Sequence, residues 1–145
     1  MKPNIRQQPA DGLPQRVFIT GASSGIGLAL AKHYAKTGAI LGLAARRGDE
    51  LHKLAAELGK TCSVYPLDVR DTEALNEAAL DFIDRFGAPH IVIANAGVSR
   101  GTLTEHKEDI VAFQAIMEIN LMGMVNTFQP FIAAMKASPH KGSLV

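Results

Sequence analysis

The most informative stretch of this chain is Thr20-Gly21-Ala22-Ser23-Ser24-Gly25-Ile26-Gly27. The run before it, residues 16–20, is rich in β-branched and aromatic side chains, which is typical of a strand. After it, side chains recur at helical spacing, and a glycine follows the last of them as a candidate C-cap. The recurring positions are Ile26, Leu30, Tyr34 and Thr37, with Gly38 as the cap. We therefore expect a strand, a glycine turn and a helix, in that order.

The rest of the chain repeats this alternation. Further apolar runs cover residues 39–45, 62–66, 90–94 and 142–145. Helical patterns lie between them: one is capped by Asp49 and ends at Gly59, one ends at Gly87, and a long one covers residues 107–136. Pro130 lies inside the long pattern, so we expect it to kink or split that helix.

Strands that alternate with helices predict βαβ units joined by right-handed crossovers. We expect an α/β fold: a doubly wound, Rossmann-like parallel sheet in strand order 3-2-1-4-5, with its C-terminal part absent. Ligands bind such sheets beyond the carboxyl ends of the strands, here between strands 1 and 4. Residues 1–14 are polar and show no periodicity, so we expect a flexible tail there.

Composition argues against several classes of partner and site. The chain of 145 residues has a net charge of +1 and a hydrophobic fraction of 47%, so we expect neither disorder nor a nucleic-acid partner. No continuous apolar run approaches the roughly 18 residues of a membrane span, so we expect no membrane partner. Cys62 is the single cysteine and the five histidines show no metal-ligand spacing, so we expect no metal site, and we expect the histidines at the surface or at helix edges. These features favour a reducing cytoplasm.

The three glycines of the turn suit a bound phosphate group. Gly21 permits a tight turn with positive φ, Gly25 leaves the backbone open to a pyrophosphate, and Gly27 lets the helix pack closely on the sheet. Ser23 and Ser24 can donate hydroxyl hydrogens to phosphate oxygens beside the free N–H groups of the helix. The spacing is neither G-x-G-x-x-G nor that of a Walker loop. The alternative is a flexible connector, which the flanking strand and helix disfavour.

The turn resembles the cofactor loop of the short-chain dehydrogenase/reductase family. Three further segments resemble family motifs in the same order: Asp68-Val69, Ala94-Asn95-Ala96-Gly97, and Asn120 with Gly123 and Pro130 downstream. Alanine replaces the first asparagine of the family's Asn-Asn-Ala-Gly. The resemblance covers residues 15–145 and implies that they form a dinucleotide-binding Rossmann-like domain, here incomplete.

This resemblance implies a role for each matching residue. Asp68 and Val69 would meet the adenine ring, and Asn95 would tie neighbouring strands together. Ile119 would lie near the nicotinamide ribose, and the backbone carbonyl of Asn120 would hold a water of the proton relay. The expected set is Asn120 as catalytic residue, with Gly21, Ser23, Ser24, Gly25, Ile26, Gly27, Arg46, Arg47, Asp68, Val69, Asn95, Ala96, Gly97 and Ile119 as cofactor-binding residues.

Simpler roles remain open for three of these residues. Asp68 could be a turn residue or a helix cap, and Asn95 could satisfy a turn through its side chain. Asn120 could be a polar surface residue, although its apolar neighbours favour a buried or kinked region.

Two arginines, Arg46 and Arg47, follow the second strand directly. A dinucleotide site places its ribose-sensing residue about 20 residues beyond the glycine turn, and an NAD site places an acid there. This chain has no acid before Asp49, and guanidinium groups bind a 2′-phosphate bidentately. The pattern favours NADP over NAD, and the alternative is a solvated basic pair.

The family's catalytic serine, tyrosine and lysine find no match in this sequence. The family's tyrosine precedes its lysine by four positions, but Gly38 lies four beyond Tyr34 and Val69 four beyond Tyr65. We therefore expect the 145-residue chain to be inactive by itself. For the intact protein, the resemblance implies an oxidoreductase that interconverts a small-molecule carbonyl and an alcohol by hydride transfer. The alternative is a non-catalytic dinucleotide-binding or regulatory protein on the same scaffold.

The long helical pattern also bears on assembly. It carries more apolar residues than one helix face can bury, among them Met117, Met122, Met124 and Met135. Family members commonly pair through this helix, so we expect a homodimer or homotetramer. The alternative is that other helices and the sheet bury all of it.

Overall fold

Five parallel strands form one sheet in the computed structural model, which describes residues 12–145. The strands are β1 (Arg16–Thr20), β2 (Ile40–Ala45), β3 (Cys62–Pro66), β4 (Ile91–Ile93) and β5 (Ser143–Leu144). Their order in the sheet is β3-β2-β1-β4-β5, which confirms the predicted order. Most of the predicted flexible tail, residues 1–11, lies outside the described residues.

Three helices connect the first four strands: α1 (Gly25–Lys36), α2 (Gly48–Leu58) and α3 (Thr72–Phe86). A glycine ends or closely follows each of them, as predicted, although the C-cap of α1 is Thr37 and Gly38 comes after it. The N-cap of α2 is Arg47 rather than Asp49, which lies in the first turn. A carboxylate in that turn still stabilises the helix, because it faces the positive end of the helix dipole.

The two faces of the sheet carry separate hydrophobic cores. Alternate residues of β1 supply both: Val17 and Ile19 pack with α1 and α2, whereas Phe18 packs with α3 and the last helix. On the second face, the Phe18 ring lies 4.8 Å from that of Phe131 and 5.6 Å from that of Phe82, measured between centroids. Because both faces are covered, the sheet is a rigid base for the loops at its carboxyl edge.

The predicted long helix is one helical stretch with a change of winding in its middle. It consists of a 3₁₀ turn (Lys107–Asp109), α4 (Ile110–Met117), a π segment (Glu118–Met122) and α5 (Gly123–Ala137). Pro130 was expected to kink or split this helix; the split is wrong, because α5 continues through that residue. The neighbouring Phe131 is fully buried, and its packing holds this part of α5 against the sheet. The break in regular winding lies at the π segment instead.

This helical stretch also corrects the expectation that no apolar segment is long enough to span a membrane. By length and composition alone, Lys107–Ala137 is long and apolar enough to cross a membrane. Charged residues interrupt it, which is why a search for one continuous apolar run missed it. Its most apolar window is 11% buried in the protein; Gly123, Thr127 and Phe131 are buried residues of α5, and Phe131 packs in the second core.

One further side chain lies elsewhere than expected, and one candidate site residue is largely exposed. Ile26, expected to bind the cofactor, is 72% exposed, and the buried residues of α1 are the small Gly27 and Ala31. His90, expected at the surface or at a helix edge, is buried and accepts a 3.0 Å hydrogen bond at Nδ1 from the backbone N–H of Arg16. That contact joins positions far apart in sequence, so no local pattern could have indicated it.

Candidate cofactor-binding site

A cavity of about 380 Å³ opens at the carboxyl edge of the sheet. Every predicted cofactor-binding residue except Gly27 lines it. Ala45, Leu67 and Val98 also line the cavity, and sequence reasoning missed them because each has an ordinary apolar side chain next to a motif. The topology therefore gathers five separate segments of the sequence around one space. Four of them follow β1, β2, β3 and β4, as the strand order predicts, and the fifth is Ile119.

The glycine turn forms one wall of this cavity. Gly21 and Gly25 have φ values of 68° and 55°, a region that side-chain-bearing residues rarely adopt. Open space lies in front of Gly25, so the backbone there is accessible to a ligand. Gly27 lies behind the wall, where a Cβ atom would collide with the carbonyl oxygen of Gly21 and the side chain of Asn95. Its role is thus close contact between helix and turn, rather than between helix and sheet.

Asn95 fastens the end of β4 to the glycine turn. Its Nδ2 donates to the backbone carbonyls of Thr20 at 3.1 Å and Gly21 at 3.3 Å. The Thr20 hydroxyl in turn accepts from the N–H of Ala96 at 3.3 Å and donates to the carbonyl of Ile93 at 3.4 Å. These bonds tie neighbouring strands together, which is the structural role that the resemblance implies for Asn95.

One end of the cavity is suited to anions. Ser24 is the N-cap of α1 but makes no side-chain capping bond, and the first turn of α1 contains no acidic residue. Arg46 and Arg47 are exposed and line the same end. The Arg47 Nη2 donates to the Ser23 hydroxyl oxygen at 3.3 Å, which places a guanidinium group beside the glycine turn. Helix N–H groups, hydroxyls and guanidinium groups together fit the phosphates of a dinucleotide.

The apolar end of the cavity carries one acid, which lies near enough to Arg46 for their charges to interact. Leu67, Val69 and Ile119 line this end, and Asp68 lies among them. The Asp68 carboxylate accepts from Nε of Arg70 at 3.0 Å and from Nη2 at 2.7 Å. These bonds hold the pKa of Asp68 below its ordinary value. The sequence did not predict this role for Arg70. An arginine two positions after an aspartate does not by itself indicate that the two side chains form a bidentate pair.

Asn120 lies next to the cavity rather than in its wall. The expectation was a buried or kinked region: Asn120 is exposed, and it lies in the π segment, where the winding of the helix changes. Its Oδ1 accepts from the N–H of Val98 at 2.8 Å, and its Nδ2 donates to the carbonyl of Val98 at 2.9 Å. Asn120 thus joins the loop after β4 to the π segment, whose Ile119 does line the cavity.

Comparisons with known proteins agree with this geometry. The family model described as short chain dehydrogenase matches residues 15–145. A 3-dehydrosphinganine reductase of Arabidopsis thaliana is 35% identical over 88% of this chain, and 11-beta-hydroxysteroid dehydrogenase A of Sesamum indicum is 41% identical over 75%. This chain spans 39% and 32%, respectively, of the lengths of these two relatives.

Solved structures agree as well. An alcohol dehydrogenase from Thermococcus sibiricus, complexed with 5-hydroxy-NADP, superposes with a TM-score of 0.79 at 36% identity over 86% of this chain and 55% of its own. A serine dehydrogenase from Escherichia coli gives a TM-score of 0.82 at 25% identity over 90% of this chain and 60% of its own. By its matching motifs, its fold and the family model over residues 15–145, this chain belongs to the short-chain dehydrogenase family.

Proposed function

We propose that the full-length protein is an oxidoreductase that uses NADP in preference to NAD and interconverts a carbonyl and an alcohol by hydride transfer. The observation that carries this proposal is the cavity at the switch point of the sheet, with a glycine turn at one wall and two arginines after β2. The similarity to an alcohol dehydrogenase complexed with 5-hydroxy-NADP supports it.

The preference for NADP rests on the positive charges at the end of the cavity that is suited to anions. Residues 44–47 read Ala-Ala-Arg-Arg, so the position where an NAD site presents a carboxylate to the ribose hydroxyls holds a guanidinium group. Arg46 and Arg47 line the cavity, and we assign the 2′-phosphate to them. Each charge-assisted hydrogen bond of this kind contributes about 1.5–3 kcal/mol.

The remaining residues of the site position and enclose the cofactor. Gly25 and the first N–H groups of α1 would receive the pyrophosphate, and Ile26, 72% exposed beside the turn, would cover the ligand from one side. When bound, the nicotinamide ring supplies or accepts the hydride. Asn120 would hold a water through its backbone carbonyl, with its side chain fixed to Val98.

We also propose a small-molecule carbonyl or alcohol as substrate and a homodimer or homotetramer as assembly. The assembly is supported by exposed apolar side chains along α4, the π segment and α5, which include Val111 at 71% exposure and Met117 at 52%. The presence of a single cysteine supports a reducing cytoplasm as the compartment.

The experiment is an assay of full-length protein with NADPH and with NADH, following loss of the reduced nicotinamide. The carbonyl panel includes 3-dehydrosphinganine, an 11-ketosteroid and a simple ketone, chosen from the names of the relatives. We expect turnover of at least one carbonyl with NADPH and slower turnover with NADH. The 145-residue chain is the control and should be inactive, because no tyrosine in it has a lysine four positions later. Binding of NADP without turnover would favour the regulatory alternative.

A further inference from the structure

We propose that Arg70 is a positioning residue for the apolar end of the cavity: it holds the Asp68 carboxylate so that the site selects a purine with a 6-amino group over one with a 6-oxo group. This inference rests on the proposed dinucleotide-binding function. Arg70 does not line the cavity, and it acts through Asp68, which does.

Three hydrogen bonds from Arg70 fix the carboxylate of Asp68. The Arg70 backbone N–H and Nε both donate to Oδ1 at 3.0 Å, and Nη2 donates to Oδ2 at 2.7 Å. Because both oxygens are engaged by one planar guanidinium group, the plane of the carboxylate is set by the arginine. Rotation of Asp68 away from the cavity would break these bonds.

The segment that carries this pair is itself clamped to the long helical stretch. The Asn126 Nδ2 donates to the carbonyl of Val69 at 3.1 Å. Gly123 lies so close to Val69 that a Cβ atom there would come within 2.6 Å of the valine Cγ2. Arg70 Nη1 also lies 4.0 Å from the Glu118 carboxylate, in the π segment that presents Ile119 to the cavity. The Arg70 guanidinium group therefore has a carboxylate on two sides, those of Asp68 and Glu118. The neighbouring Val69 is bonded to Asn126 and packs against Gly123.

The position of Asp68 identifies which part of a dinucleotide it would meet. Among the described residues 12–145, Asp68 is the one acid that lines the cavity, and its lining neighbours Leu67 and Val69 are apolar. The glycine turn and the arginines suit phosphates, whereas a carboxylate repels them, so a phosphate group does not fit against Asp68 itself. Arg46 lies near enough to Asp68 for their charges to interact, which places the acid beside the part of the cavity that suits phosphates. The flat, largely apolar base is the part of the ligand that fits between apolar side chains with its edge towards Asp68.

The charge state of Asp68 then decides which base is accepted. Its pKa is lowered, chiefly by the hydrogen bonds from Arg70, so the carboxylate is ionised at neutral pH and acts only as an acceptor. A 6-amino group donates to it, whereas a 6-oxo group brings a second acceptor against it. A 6-oxo purine therefore lacks the charged hydrogen bond and places its own acceptor against the carboxylate. We expect these two effects to weaken its binding about tenfold or more.

The experiment measures the dissociation constants of NADP and of its hypoxanthine analogue on full-length protein by calorimetry. We expect wild type to bind NADP about tenfold or more tightly than the analogue. In Arg70→Gln, this ratio should fall to within about threefold, because Asp68 can rotate and only a weak preference remains. Arg70→Lys keeps the charge without the planar fork, and should restore part of the ratio.

The matched control is Arg85→Gln. Arg85 is also an exposed arginine paired with a carboxylate, since its Nη1 lies 3.0 Å from Asp81 Oδ2, but neither residue lines the cavity. The side chains of Arg70 and Arg85 are 46% and 49% exposed, and both substitutions remove one positive charge. Arg85→Gln should leave the ratio at the wild-type value. Melting temperatures of all variants check that they remain folded.

Each outcome separates the inference from the function on which it rests. A wild-type protein that binds both dinucleotides equally well, or an Arg70→Gln variant with an unchanged ratio, would overturn the role of Arg70 and leave the proposed function standing. An equal fall in Arg85→Gln would also overturn it, because a general loss of charge would then explain the result. Failure of wild type to bind either dinucleotide would overturn the proposed function as well.

Discussion

The two halves of the sheet differ in how completely they are covered. Around β1, β2 and β3, large side chains such as Phe18, Leu41 and Leu43 are fully buried, and helices cover both faces. Around β4 and β5, the helical stretch from residue 107 to residue 137 packs on the sheet through a few residues only. Its other sides expose large apolar side chains, namely Ile110, Val111, Phe113, Met117, Leu121, Met122, Met124, Val125 and Ile132.

This contrast separates apolar surface that the described residues bury from apolar surface that they leave exposed. The first half needs no further protein to bury its apolar surface. The second half exposes many large apolar side chains, and we propose that they form the interface between subunits. Both halves line the cavity, since its wall includes residues that follow β1, β2 and β3 as well as residues that follow β4 and Ile119 of the π segment. We therefore expect substitutions in the two halves to differ in kind.

The largest effect is expected from a phenylalanine pair on the same helical stretch. Phe131 is fully buried against Phe18 and Phe82, whereas Phe113 is 37% exposed. Phe131→Ala should lower the free energy of unfolding by about 3–5 kcal/mol, because it leaves a cavity in the second core. Phe113→Ala should cost much less. Urea denaturation of the full-length protein measures both free energies. Equal losses would contradict the expectation that exposed apolar side chains of this stretch contribute little to the stability of the fold.

A smaller effect is expected at the glycine turn. Gly27→Ala places a methyl group against the Gly21 carbonyl and the Asn95 side chain, and overpacking of this kind costs about 1–3 kcal/mol. It should also weaken NADP binding, since it displaces the wall of the cavity. Gly101→Ala is the control, because open space surrounds that residue and its φ is not positive. Melting temperatures and calorimetry test the pair; a harmless Gly27→Ala would mean that the close contact is not required.

The smallest effect on folding is expected at the exposed apolar surface. Val111 is 71% exposed, so Val111→Asp should change the free energy of unfolding of a single subunit by no more than about 0.5 kcal/mol. The same change should shift the full-length protein from dimer or tetramer towards monomer, because it buries a charge in the interface. Light scattering at micromolar concentration measures the mass. A wild-type protein that is already monomeric would contradict the proposed assembly.

The sequence predicted most of the fold and most of the cavity wall because both depend on local patterns. Alternating apolar runs and helical spacings fix the order of elements, and glycine and proline mark the turns. The glycine turn and the residues after β2, β3 and β4 line the cavity because parallel strands bring their carboxyl ends to one edge.

The features that the sequence did not predict depend on contacts that carry no periodic signal. The π segment at Glu118–Met122 disturbs the helix without a proline or glycine inside it, and Pro130 does not break the helix, because tertiary packing outweighs local preference there. His90 is buried beside Arg16, which lies 74 residues earlier.

The central claim is that the cavity binds NADP through the arginines after β2. Its most direct test is the ratio of the dissociation constants of NADP and NAD for full-length wild type and Arg46→Asp, measured by calorimetry at one stated salt concentration. Arg100→Asp is the control, because Arg100 is exposed, does not line the cavity and undergoes the same change of charge.

We expect wild type to prefer NADP. Arg46→Asp should weaken NADP by about 10- to 150-fold for each charged hydrogen bond lost, because a like charge then faces the 2′-phosphate. Binding of NAD should stay the same or improve, since a carboxylate accepts from the ribose hydroxyls. Arg100→Asp should leave the ratio unchanged. A wild-type preference for NAD, or a ratio that Arg46→Asp does not alter, would contradict the assignment of Arg46 to the 2′-phosphate.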